Sequence, residues 1–227
     1  MKFILKFDED MIFKTVMIRD PNNPVSVAYA DYCYRSWRGF NLKFYNAVTP
    51  DTLDKNKGIN FQNKTNGKEH SDTEKACFYS QYNLWKCCAL ENIPYLILEH
   101  DAFLEKPYDI HYSPALMVQF LGQHAMEAVM YHPKFCRELV TQAGKINVRF
   151  GPMSFVDSML GYFNRNEQSR YGIPHSRCQG RYAPVKSVID PKLGNTINHD
   201  SDINERLKKD ADLFLTVDLA SLGLYKP

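Results

Sequence analysis

Apolar runs of strand length alternate along this chain with longer stretches of helical spacing, and polar, turn-rich segments separate them. Positions 2–7 alternate apolar and charged residues, as an edge strand does. Positions 12–18 are rich in Val, Ile and Phe and suit a sheet interior. Arg19-Asp20-Pro21-Asn22-Asn23-Pro24 is strong turn chemistry. Positions 25–37 then carry aromatic residues near helical spacing up to Gly39, and 42–45 form a short strand. Residues 12–45 therefore predict one β-α-β unit, the start of a parallel sheet.

Thr49 to Ser71 is polar and rich in Asn, Lys and Gly, and predicts a long loop or lid. Lys55, Lys57, Lys64 and Lys68 make it basic. It reads as a solvated loop or as a flap facing phosphate or acceptor. Ser71 and Glu74 stand at capping-box spacing and open a helix that runs to Asn92. The run 93–98 follows as a buried strand and ends in Glu99-His100-Asp101, two carboxylates flanking a histidine. Further strands are predicted at 115–120, 127–131 and 182–189, and helices at 133–143, 155–163 and 205–212. No internal repeat is visible.

Composition adds few constraints. The 227 residues are 44% hydrophobic and 24% charged, which fits an ordinary globular protein of one large domain or a domain with a small annex. The formal net charge of +2 argues neither for nor against nucleic acid. No run of about 18 apolar residues predicts a membrane span. Positions 1–10 lack the apolar core of a signal peptide, so a cytoplasmic location is expected. The six cysteines show no Cys-x-x-Cys spacing and read as small buried thiols rather than a zinc site.

The acidic strand end carries the candidate chemistry. In an open α/β sheet, ligands bind outside the carboxyl ends of the strands. Two carboxylates there point to a divalent cation holding a phosphate. A solvated strand end is the plain alternative.

Four blocks resemble glycosyltransferase family 25, the lipooligosaccharide and collagen galactosyltransferase group. Glu74-Lys75-Ala76-Cys77-Phe78-Tyr79-Ser80-Gln81, with Trp85 beyond it, is similar to the family's E-x-G-C-x-x-S-H helix followed by W. Leu96 to Ala102 resembles I-L-E-D-D-A. Ala128 to Lys134, then Pro152, Asp157 and Leu160, resemble a Y-x-I-S-x-x-A segment followed by P-x-D-x-x-L. His199-Asp200-Ser201-Asp202-Ile203 is close to a terminal S-D-I element, and Asn46-Ala47-Val48 resembles an A-V element. Three positions depart from the pattern: Ala76 replaces a Gly, Gln81 a His, and His100 the middle acid.

The resemblance implies an α/β fold of the GT-A type, with a Rossmann-like, mostly parallel central sheet flanked by helices. It implies a single domain over 1–227, with 49–71 as loop or lid and 204–227 as a C-terminal tail. It further implies a UDP-sugar donor, Mn²⁺ or Mg²⁺, and inverting transfer to a hydroxyl on a glycan. Within that reading Asp101 and His199 are metal ligands, and Asp157 is the general base. Arg19, Asp20, Ser80 and Glu99 contact the donor. Each has a plain alternative: a turn for Arg19 and Asp20, a helix cap for Asp157, an exposed histidine for His199. Two other functions remain open. The basic loop with Arg165, Arg170, Arg177 and Arg181 fits an enzyme acting on hydroxymethylated bases in DNA. The His100 and Gln81 departures fit a non-catalytic nucleotide-sugar-binding relative.

Overall fold

The computed structural model describes residues 12–55, 58–63, 67, 69–106, 118–121, 126–145, 148, 152, 155–156, 159, 176–177, 184–193 and 214–226. Strand β1 (Lys14–Arg19) has four consecutive buried residues, as a strand covered on both faces must. Asn23 caps helix α1 (Pro24–Tyr34) by accepting from the Val25 and Ser26 amides, and Pro24 occupies the first turn, where its missing N–H costs nothing. The predicted helix 25–37 thus stops at Tyr34, and Arg35–Trp37 tightens into a 3-10 turn. Strand β2 (Lys43–Asn46) pairs parallel to β1, with Ile18 opposite Tyr45.

Helix α2 (Asp72–Glu91) begins at the expected capping box. The Ser71 hydroxyl accepts from the Glu74 amide, and the Glu74 carboxylate accepts from the Ser71 amide. Strand β3 (Tyr95–Leu98) follows, buried throughout and parallel to β1. Strand β4 (Ala102–Leu104) comes next, then β5 (Val118–Phe120), β6 (Ala128–Tyr131), helix α3 (Pro133–Lys145), β7 (Ser176–Arg177), β8 (Val185–Ile189) and β9 (Phe214–Thr216).

The main sheet runs β2-β1-β3-β6-β5-β7. Its β2-β1-β3 half is parallel, while β6 lies antiparallel to both β3 and β5. A second sheet, β4-β8-β9, was not anticipated. In it β4 pairs antiparallel to β8, and β9, inside the stretch read as a tail, pairs parallel to β8. The expected helix at 205–212 lies outside the described residues, as does most of 155–163; residues 155, 156 and 159 are helical.

Side-chain alternation splits the core in two. Val16, Ile18, Tyr95, Ile97, Val129 and Tyr131 face α2 and α3, where Phe78, Trp85, Phe135 and Leu139 meet them. Met17, Leu96, Leu98 and Met130 face α1 and the second sheet. The described part of 49–71 is packed against α2: the Ile59 amide donates to the Tyr79 hydroxyl, and Phe61 stands edge-on to Phe78. Pro50–Lys55 within it forms a 3-10 helix. No described helix is long and apolar enough to cross a membrane.

Candidate active site

A cleft of about 630 Å³, open to solvent, lies at the carboxyl ends of β1, β2 and β3. Ile18, Arg19 and Asp20 come from the end of β1, Ala47 to Pro50 follow β2, and Glu99 and His100 follow β3. The first turn of α1 adds Asn23 and Ser26, and the first half of α2 adds Thr73, Ala76, Cys77 and Ser80. Two helix N-terminal regions therefore border it, which favours negative charge in a ligand.

Each wall is held by specific bonds. The Ala47 amide donates to the Arg19 carbonyl at 2.7 Å, extending the β1–β2 pairing past the strand ends. The Ser80 hydroxyl accepts from the Val48 amide at 2.8 Å and donates to the Ala76 carbonyl at 3.0 Å. Ser80 thus ties the backbone after β2 to α2 as well as lining the cleft. Asp20 forms a tight turn, its carboxylate accepting from the Asn22 amide at 2.9 Å, while its own amide donates to the Ser26 hydroxyl at 3.0 Å. The Arg19 guanidinium lies 3.8 Å from the centre of the Phe44 ring and 3.4 Å from the Asp31 carboxylate. Its Nε is buried without a protein partner.

The acidic segment turns sharply. The Glu99 amide donates to the Glu127 carbonyl at 2.9 Å, and the Ala102 amide to the Glu99 carbonyl at 3.1 Å. The Glu99 carboxylate accepts from Gln81 Nε2 at 2.8 Å. Burial, and then the neighbouring Asp101, push its pKa from 4.5 up to about 7, against the lowering effect of the Gln81 bond. His100 is buried with its ring 5.8 Å from that of Tyr29. Burial holds the imidazole below its ordinary pKa, opposed by Asp101. Asp101 is not part of the cleft lining; its carboxylate accepts from the Ser187 hydroxyl of β8. Burial raises the Cys77 thiol to about 12, with Glu99 and Glu74 adding to the effect, which disfavours the thiolate that a nucleophile needs.

The structure therefore brings Arg19, Asp20, Ser80 and Glu99 to one cleft and sets Asp101 beside it. Asp157 and His199 lie outside the described residues. Asn23, Ser26, Thr73 and Gln81 were not singled out as site residues from the sequence. Asn23 before Pro24 carried a helix-start signal, and Gln81 was visible as a departure from the family pattern.

Among the described residues no three His, Cys, Asp or Glu side chains group as a metal site. Glu99 and Asp101 remain compatible with a hard cation. Such ions are held by one or two carboxylates together with substrate phosphates, and a cation relieves the repulsion from Asp101 that adds to burial in raising Glu99.

Comparison with known proteins adds the family. No curated protein matches the chain. Among solved structures, a glycosyltransferase involved in glycosylation of the major capsid of PBCV-1 aligns at 8% identity and a TM-score of 0.46, covering 92% of this chain and 96% of its own. An active-site mutant of LgtC aligns at 10% identity and a TM-score of 0.39, covering 92% of this chain and 85% of its own. The profile of glycosyltransferase family 25, the LPS biosynthesis proteins, matches residues 31–146, from within α1 past the end of α3. That match spans half of the chain: the protein belongs to glycosyltransferase family 25, and its chemistry is sugar transfer.

Proposed function

We propose that the chain is a cation-dependent, inverting transferase that moves a sugar from a UDP-sugar to a hydroxyl acceptor. One observation carries this reading: the cleft outside β1–β3 gathers Arg19, Asp20 and Glu99, with Asp101 adjacent, between two helix N-terminal regions. The nucleotide lies along Arg19, Asp20 and Val48, with the guanidinium and the helix ends turned toward the diphosphate. Glu99 and Asp101 would hold Mn²⁺ or Mg²⁺, with His199 as a further ligand, and the bound cation would supply charge neutralisation for the departing diphosphate. Asp157 takes the acceptor proton as the acceptor oxygen bonds to the anomeric carbon and the bond to the diphosphate breaks, releasing UDP. The roles of Asp157 and His199 rest on the family resemblance. A glycan hydroxyl is the acceptor that family membership favours.

Titration calorimetry with UDP, with and without Mn²⁺, tests the reading. Wild type binds UDP in a Mn²⁺-dependent manner, and Arg19→Ala and Asp101→Ala each weaken it. Binding that ignores both Mn²⁺ and these substitutions contradicts it.

A further inference from the structure

Gln81 sits in the middle of α2, only 1% exposed. Trp85, one turn further along the helix, and Tyr131 on β6 are fully buried close by, with their rings 6.1 Å apart. A methionine or leucine would fill such a position with no buried amide of its own to satisfy. The glutamine instead keeps its Oε1 buried with no partner. Native folds rarely tolerate an orphaned buried carbonyl, and its presence calls for a reason outside packing. What the amide does with its other end supplies one: Nε2 donates to Glu99 Oε1 at 2.8 Å. Helix α2 is in turn fixed by its capping box and by Ser80, so the donor is presented from a rigid element.

We propose that Gln81 is a positioning residue for sugar transfer, holding the Glu99 carboxylate from beneath in the orientation that meets the donor's cation. The inference rests on the proposed role of Glu99 in donor binding. Gln81 touches neither donor nor acceptor and acts through Glu99 alone.

The test is calorimetric binding of UDP in the presence of Mn²⁺, with thermal unfolding measured in parallel on the full chain. Gln81→Met keeps the volume and removes the amide. It weakens UDP·Mn²⁺ binding by about 10–100-fold, the usual effect of losing a partner behind a metal-binding group. Its Tm moves little, because losing the orphaned oxygen offsets the donor lost to the Glu99 carboxylate. Gln81→Asn keeps the amide but withdraws it from Glu99 and shows the same loss, which covers the case in which the methionine variant fails to fold. Gln81→His retains an N–H donor and restores binding. In a Glu99→Gln background, Gln81→Met has no further effect. Wild-type-like binding by Gln81→Met or Gln81→Asn, or a loss that persists undiminished in the Glu99→Gln background, overturns the proposal. A lowered Tm with unchanged binding also overturns it and assigns Gln81 to the fold. If wild type itself shows no Mn²⁺-dependent UDP binding, the donor reading fails and the proposal falls with it.

Discussion

Glu99→Gln separates the cost of a half-buried carboxylate from the fold around it. Glu99 lines the cleft, but burial and Asp101 raise its pKa from 4.5 to about 7. The folded protein therefore binds this proton more tightly than the unfolded chain does. Below pH 4.5 the group is protonated in both states and costs nothing. As pH rises from 4.5 to about 7 the unfolded chain ionises first, and stability falls through that window. The full displacement corresponds to about 3 kcal/mol at pH 8, and solvent screening of the half-buried group reduces it to roughly 1–2 kcal/mol. Glu99→Gln keeps the shape and an acceptor for the Gln81 amide but carries no charge. Urea unfolding from pH 4.5 to 8 gives the comparison. The variant is more stable than wild type by roughly 1–2 kcal/mol at pH 8, and the difference vanishes toward pH 4.5. Wild-type and variant curves that run parallel across this range refute the reasoning.

Three other substitutions probe different parts of the architecture. Ser80→Ala removes the acceptor for the Val48 amide and costs about 1–3 kcal/mol by thermal unfolding, with weaker UDP binding because the wall after β2 loosens. Asp190→Ala removes the buried carboxylate that accepts from the Leu219 and Lys192 amides, and lowers stability by about 2–4 kcal/mol; limited proteolysis then cuts first in the segment after β9. Trp37→Phe keeps an aromatic ring but loses buried volume and leaves the buried Ala102 carbonyl without its 2.8 Å indole donor, a loss of about 1–3 kcal/mol or more in urea unfolding.

Local signals were legible in the sequence and long-range pairings were not. The capping box at Ser71 and Glu74, the strand ending at Glu99 and the β-α-β start all follow from periodicity and turn chemistry within a few residues. Strands β4 and β9 have only three residues each, too short for alternation to show, and exist because β8 pairs with both. The antiparallel direction of β6 is likewise invisible, since a buried strand has the same residue pattern in either direction. At the site, Gln81 stood out as a change of residue type, but its bond to Glu99 joins positions 18 apart, one on a helix and one just past a strand. The Ser187 hydroxyl reaches Asp101 across 86 positions, so only the fold reveals that the acidic segment is braced from the second sheet.

The most direct measurement is UDP release from UDP-sugars with Mn²⁺ present, run in parallel with oligosaccharide and hydroxymethylated DNA acceptors. The account predicts acceptor-stimulated release with an oligosaccharide, abolished by EDTA and restored by Mn²⁺, and reduced at least 100-fold in Asp101→Ala, about 3 kcal/mol of transition-state stabilisation. Stimulation by the DNA alone moves the acceptor to a modified base and leaves the donor site as described. Full activity in Asp101→Ala, or release indifferent to EDTA, contradicts the claim that Glu99 and Asp101 hold the cation that drives transfer.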